Sequence, residues 1–375
     1  MNAEATVARV TACIDLDALR HNLARMRACA PAARVIGAVK ANAYGHGAIP
    51  VARSLADAGI DALAVACLEE ALALREAQIA VPVVLLEGVL SAAEARLAVD
   101  EKLQIVVHAD WQLELLEREI GDAPAMLWVM LNTGMNRLGF APDAARRVAK
   151  AIADRGAWRC CGWMTHLACA DEVAARTTLD QQARFEAATA GLPGARSMAN
   201  SAGLIAWPKT RTGWVRPGIM LYGASPFADR SAAELGLRPV MRLESRLIAI
   251  QSVGPGEHVG YGATWAAERA TRIGIVAAGY ADGIPRTLPS GTPVAVRGHR
   301  VPTAGRVSMD MFAVDLGDLA DAEVGDAVRV WGEGVPAEAM AASIGSIAYE
   351  LFCRLGPRVR RVYLDQRAER RENES

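Results

Sequence analysis

Val35-Ile36-Gly37-Ala38-Val39-Lys40-Ala41-Asn42-Ala43-Tyr44-Gly45-His46-Gly47 is the stretch on which the reading of this chain turns. It opens as a short apolar run, the pattern of a buried strand, and that run ends on Lys40. A turn of small residues punctuated by glycine follows, and then a helical pattern. Only four of the 41 basic residues are lysines: Lys40, Lys102, Lys150 and Lys209. An ammonium at the mouth of an apolar strand is costly to bury unless paired. Burial also lowers a lysine's pKa and frees a neutral amine, which can form a Schiff base with a carbonyl compound. The alternative is a surface lysine whose stem snorkels along the strand end.

Working outward, the same strand-then-helix unit repeats. Apolar runs fall at Arg34–Lys40, Ala62–Cys67, Val83–Gly88, Leu103–His108, Ala125–Leu131, Cys160–Leu167, Arg196–Asn200 and Trp214–Tyr222. Amphipathic stretches lie between them, including Ala48–Ala58, Glu69–Ala77, Ser91–Val99, Trp111–Glu119, Pro142–Arg155 and Glu172–Ala190. Near-continuous apolar strands alternating with helices indicate a parallel sheet covered on both faces. Eight such units predict a closed (β/α)8 TIM-type barrel over residues 1–237, with a doubly wound open sheet as the alternative.

From about Arg238 the runs become β-branched and are separated by Gly and Pro. They are Leu243–Ser252, Arg272–Ala278, Pro293–Val296, Met311–Asp315 and Ala327–Val330. This predicts a C-terminal antiparallel β domain over residues 238–375, with a frayed charged end from Asp365. The chain has 375 residues and is 52% hydrophobic and 22% charged, the composition of a two-domain globular protein. A net charge of −1 offers no electrostatic footprint for nucleic acid. No apolar run approaches the ~20 residues needed to cross a bilayer. Met1–Val10 lacks the apolar centre of a signal peptide. Seven cysteines, an odd number without CxxC, fit a reducing cytoplasm and are expected as small core residues. No histidine spacing predicts a metal.

In a barrel of this kind, residues at the C-terminal ends of the strands face the active site. Lys40 and Tyr44, the Asn132–Arg137 segment, Thr165 and His166, Asn200 and Ser201, and Arg216, Gly218 and Ile219 all fall there. Ser201 and the Gly218-Ile219 backbone read as a phosphate site, because loops after strands 7 and 8 often hold phosphate and glycine permits close approach of N–H groups. There is no Walker A motif and no GxGxxG after a strand. In the second half, Tyr261 and Tyr280 sit in glycine-flanked turns, Gly260-Tyr261-Gly262 and Gly279-Tyr280-Ala281-Asp282-Gly283.

The segments AVKANAYGHG, TGMNRLGF, Thr165-His166, NSAG, VRPGIMLYG, GYADG, GRVSMDM and YELFCRL occur in this order. Together they resemble the bacterial alanine racemases, a family with a barrel, a C-terminal β domain and pyridoxal 5'-phosphate as cofactor. The resemblance implies that Lys40 carries the cofactor and is one of two acid–base groups. It implies phosphate contacts from Tyr44, Ser201, Gly218, Ile219 and Tyr349, cofactor contacts from His166 and Asn200, and Arg216 against the pyridine nitrogen. An arginine does not readily give up its proton, so the nitrogen would not be fully protonated and the ring would be a weaker electron sink. Tyr261 would be the second base, supplied by the other subunit of a homodimer with shared sites. A tyrosine pKa is ordinarily ~10 and needs tuning for this work; His166 and Arg216 are the expected neighbours. Arg137 and the backbone of Met309 would bind the carboxylate of L- or D-alanine. Tyr280, with Tyr261 and Tyr349, would form the channel constriction, and Asp171, Arg286 and Arg306 its outer layer.

Two positions depart from the family pattern. Met130 stands where many relatives have a lysine, often carbamylated, that buttresses the substrate-binding arginine. Asn132 replaces a common acidic residue. Either a bound anion such as chloride or Asn132 itself would then support Arg137. Ser308 replaces a cysteine of some relatives. The competing readings are a serine or broad-specificity racemase of the same fold and a non-catalytic pyridoxal-phosphate binder. The D-alanine produced would serve peptidoglycan, or the reaction would serve alanine catabolism; sequence does not separate the two.

Overall fold

The computed structural model describes residues 8–317 and 319–366. The first part of the Met1–Val10 segment and most of the charged tail lie outside the described residues. Strand β1 (Thr11–Asp15) comes first. The parallel strands β2 (Arg34–Ala38), β3 (Ala62–Val65), β4 (Val83–Leu85), β5 (Gln104–Val107), β6 (Ala125–Met130), β7 (Trp158–Met164), β8 (Ala195–Ser197) and β9 (Trp214–Val215) then close a barrel in sequence order. Each of the eight expected runs overlaps a strand, with β7 and β8 beginning one or two residues earlier than expected, and the open-sheet alternative is excluded by the β2–β9 pairing. The last run is shorter than its apolar character predicts. Pro217 cannot extend a ladder as a donor, and Ile219–Tyr222 winds into a 3-10 turn.

The barrel interior is filled by Ile36, Ala62, Ala64, Val84, Val106, Trp128, Met130 and Met164. At its N-terminal end Trp128 donates to Gln104 Oε1 (2.7 Å) and meets Trp214 edge-on, so this end is a packed floor. The outer faces of the strands pack on the helices, which leaves the strands buried on both sides.

The second sheet contains β10 (Met241–Val253), β13 (Thr271–Val276), β14 (Pro293–Val296), β15 (His299–Ala304), β16 (Phe312–Asp315), β17 (Ala327–Trp331) and β18 (Arg360–Leu364), with a separate hairpin of β11 (His258–Val259) and β12 (Trp265–Ala266). The order is β13-β16-β15-β14-β17-β10-β1-β18, and β10 also pairs with β13 past a register shift between Leu247 and Ala249. Every pairing is antiparallel except β1 with β18. Thr11–Asp15 therefore belongs to this sheet, although the sequence reading places residues 1–237 with the barrel. Its partners lie more than 200 residues away, so no local pattern marks it. Among the described residues no helix is long and apolar enough to cross a membrane.

The cysteines depart from expectation. None is fully buried: six are half-buried and Cys353 is exposed.

Candidate active site

The segment after β2 explains how Lys40 and Tyr44 come to share a site. Ala41, Asn42, Ala43 and Tyr44 have φ of 51°, 54°, 53° and 50°, and Gly45 follows at 76°. Ala43 N–H donates to Val39 O (2.8 Å), and Gly45 N–H to Ala41 O (2.9 Å), so this is one turn of left-handed helix. Four residues with side chains in that region cost roughly 1–2 kcal/mol each. Strain of this kind concentrates at functional sites. The Tyr44 ring at the end of the turn stacks on Tyr222 (4.8 Å) and tilts against Tyr349 (5.7 Å).

Lys40 and Tyr44 both line a cavity of about 440 Å³ at the C-terminal mouth of the barrel. Arg137, His166, Asn200, Ser201, Arg216, Gly218 and Tyr349 also line it, with Met130, Asn132, Thr165 and Cys353. Tyr349 reaches the mouth from the helix Ala348–Cys353 of the second half. Of the residues expected in the cofactor and substrate set, Ile219 is buried behind the wall. Cys353 and Glu87 line the mouth without having been singled out in the sequence; only the fold brings them there.

Arg216 is buried and fully engaged on its wall side. Nη1 donates to Ser197 O (2.8 Å) and Ser197 Oγ (2.6 Å), and Nη2 donates to Thr165 O (2.5 Å). Nothing in the sequence marks Ser197 for this role, since a lone serine in a short strand carries no signal. Burial lowers the Arg216 pKa to about 10, so it stays charged at neutral pH. Burial also pushes the His166 pKa down to about 3, helped by the charges of Arg216, Arg137 and Lys40. His166 is therefore neutral beside three cations.

At the other end of the cavity, Ser201 Oγ accepts from Gly218 N–H (3.0 Å). A Cβ at Gly218 would stand 2.4 Å from the Tyr44 hydroxyl, so only glycine lets that hydroxyl and the backbone approach one another. Asn200 caps the following helix by accepting from Gly203 N–H (2.8 Å). Burial raises the pKa of both Tyr44 and Tyr349, so their phenols remain protonated donors.

Elsewhere on the rim, Asn132 Oδ1 accepts from Gly134 N–H (3.2 Å) and Asn136 N–H (2.9 Å), and its Nδ2 donates to Asn136 Oδ1 (3.1 Å). Asn132 thus shapes the turn that carries Arg137 and does not hold the guanidinium itself. Met130, at the base of the cavity, offers no charge there.

The second-half residues lie elsewhere in the chain. Tyr261 opens a short turn between β11 and β12 and is 70% exposed. Met309 is 53% exposed and Tyr280 41%. Their loops are nonetheless firmly built. Tyr280 N–H donates to Ser308 O and Ala281 N–H to Met309 O, each at 3.0 Å. Arg358 binds buried Asp282 (2.9 Å) and Asp310 (2.8 Å), joining the two loops. Arg286 and Arg306 line a separate open recess with Thr264 and Ser290. Asp171 is exposed near Tyr349, whose pKa it helps raise.

A family model described as alanine racemase, N-terminal domain, matches residues 14–226, and one described as alanine racemase, C-terminal domain, matches residues 240–363. An alanine racemase of Vibrio cholerae is 48% identical over 354 residues, covering 94% of this chain and 98% of that protein. One of Aeromonas hydrophila is 49% identical over 352 residues, with the same coverage of each chain. The crystal structure of the biosynthetic alanine racemase from Pseudomonas aeruginosa matches with a TM-score of 0.92 at 46% identity, covering 96% of this chain and 100% of that one. The chain belongs to the alanine racemase family, enzymes of the isomerase class.

Proposed function

We propose that this enzyme interconverts L- and D-alanine with pyridoxal 5'-phosphate as cofactor, by two-base proton transfer at Cα, in a homodimer with two shared sites. The observation that carries this reading is the composition of the barrel-mouth cavity. It combines one lysine, one buried arginine, a neutral histidine and an end where the Ser201 and Tyr44 hydroxyls meet the Gly218 backbone. That donor set fits a phosphorylated pyridine aldehyde. Lys40 would hold the aldehyde carbon and Arg216 the ring nitrogen. Ser201, Tyr44, Tyr349 and the backbone near Gly218 and Ile219 would hold the phosphate, with His166 and Asn200 lining the ring. When bound, the cofactor supplies electron withdrawal from the amino acid's Cα, which makes its proton removable.

The chain's own residues do the rest. Arg137, with the backbone N–H of the partner's Met309, binds the substrate carboxylate. The Lys40 amine takes or returns the Cα proton on one face, and the hydroxyl of the partner's Tyr261 acts on the other. Two bases on opposite faces invert the centre without turning the substrate. His166, neutral because its pKa is about 3, does not compete for that proton at neutral pH. The exposure of Tyr261 and Met309 in the single chain supports their use by a second copy. Tyr280, with Arg286, Arg306 and Asp171, would then line the approach.

Chiral analysis tests the reading. Cofactor-loaded protein given L-alanine should approach an equal mixture of enantiomers, as it should from D-alanine. Conversion of serine alone would overturn the substrate. Bound cofactor with no conversion of any amino acid would overturn the racemase chemistry.

A further inference from the structure

The left-handed turn that joins Lys40 to Tyr44 is clamped by two side chains that do not line the cavity. Glu70 holds its beginning. Oε1 accepts from Ala41 N–H (2.6 Å) and Oε2 from Ala66 N–H (2.9 Å), so one carboxylate ties the residue after Lys40 to the end of strand β3. His46 holds its end. Nδ1 lies 2.8 Å from Tyr44 O and 3.1 Å from Ala43 O, which places the ring proton on Nδ1 as the donor. The His46 ring is fully buried between Tyr222 and Phe352, and its Nε2 has no hydrogen-bond partner. A phenyl ring would satisfy that apolar packing without an orphaned nitrogen. What the histidine adds is the donor to the turn.

We propose that Glu70 and His46 are positioning residues for the cofactor site: they clamp the two ends of the strained turn and so aim Lys40 and Tyr44 into one cavity. The proposal rests on the cofactor reading above. Ala41 and Ala43 have no intrinsic preference for positive φ. The conformation therefore persists because its surroundings determine it. Freeing either end lets the turn relax and changes the angle between the Lys40 amine and the Tyr44 hydroxyl.

The test uses the full-length dimer, pyridoxal 5'-phosphate as probe, and three variants: His46→Phe, His46→Asn and Glu70→Gln. His46→Phe keeps an aromatic ring and loses the donor. His46→Asn keeps a donor nitrogen near the Nδ1 position and loses the ring. Three quantities are measured: the cofactor dissociation constant, the rate at which borohydride fixes the cofactor onto Lys40, and the melting temperature of the cofactor-free protein. His46→Phe and Glu70→Gln should weaken cofactor binding about tenfold or more, as expected for losing a buried hydrogen bond. Both should also slow trapping on Lys40, while His46→Asn recovers part of the loss despite its poorer packing. Binding and trapping at parental levels in His46→Phe and Glu70→Gln would overturn the proposal. So would losses that track the melting temperature alone, with His46→Asn worse than His46→Phe. A parent that binds no pyridoxal phosphate would instead overturn the cofactor reading itself, before any variant is compared.

Discussion

Around the barrel mouth, Arg216, Ser201 and Asn132 each have hydrogen-bond partners within the chain, whereas Tyr261 and Met309 stand 70% and 53% exposed on loops of the second sheet. The difference is not one of order. The second-sheet loops are fixed by backbone bonds between Tyr280 and Ser308 and by the Arg358 bridge to Asp282 and Asp310. A rigid backbone that presents a tyrosine and a methionine to solvent is the form of a surface offered to another molecule. The barrel mouth holds a lined cavity; under the proposed function, the second-sheet loops supply the pieces that complete it in another copy.

The comparison breaks most sharply at the two proposed bases. Lys40→Ala should lose at least about 10³-fold in turnover, together with the covalent hold on the cofactor. Tyr261→Phe should lose about 10²- to 10⁴-fold in both directions, yet bind the cofactor like the parent. Equilibrium binding and L-to-D and D-to-L rates separate the two. A Tyr261→Phe protein that fails to bind cofactor would place that tyrosine in the wrong half of the scheme.

A smaller effect sharpens the second-sheet half. Arg358→Ala removes the side-chain bridge between the Tyr280 turn and the Met309 loop and leaves only their backbone bonds, which should raise KM for alanine several-fold. Cofactor affinity should be unchanged, because no barrel-mouth contact is touched. A change in cofactor affinity with KM intact would contradict the division.

The last effect is on stability, with no change in turnover expected at neutral pH from this titration, and concerns the barrel side and pH. Burial holds the His46 pKa at about 4, well below its ordinary ~6.5. The unfolded chain therefore takes up a proton below about pH 6.5 that the folded protein refuses until about pH 4. Stability from this group is present in full above pH 6.5 and is lost as pH falls through that window, by about 3 kcal/mol at most. Denaturant unfolding at pH 7 and pH 4.5 measures it. His46→Phe should show a shallower acid decline, and an equally steep one would assign the acid sensitivity to other groups.

Much of the fold was legible because parallel barrel strands are buried on both faces and so appear as unbroken apolar runs. Lys40, His166 and Asn200 could be placed at the mouth simply because they stand at the ends of such runs, whereas Arg216 lies early in the Trp214–Tyr222 run, where the strand stops at Val215. Two features left no local trace. Thr11–Asp15 is a short strand whose neighbours, β10 and β18, come from the far end of the chain. The left-handed turn is written in Ala-Asn-Ala-Tyr, with glycine only at its end, and is imposed by Glu70 and His46. The role of Tyr261 was beyond periodicity altogether, since an exposed tyrosine in a glycine-flanked turn looks the same whether it packs, binds or reacts.

Sharing of the site is the central claim, and subunit complementation tests it most directly. Lys40→Ala and Tyr261→Phe chains, each inactive alone, are co-expressed and assayed for D-alanine from L-alanine. If each site takes Lys40 from one chain and Tyr261 from the other, half the dimers are mixed and each mixed dimer has one intact site. The mixture should then recover about a quarter of the parental activity. No recovery, with mixed dimers demonstrably formed, would mean that both bases come from the same chain and would contradict the account.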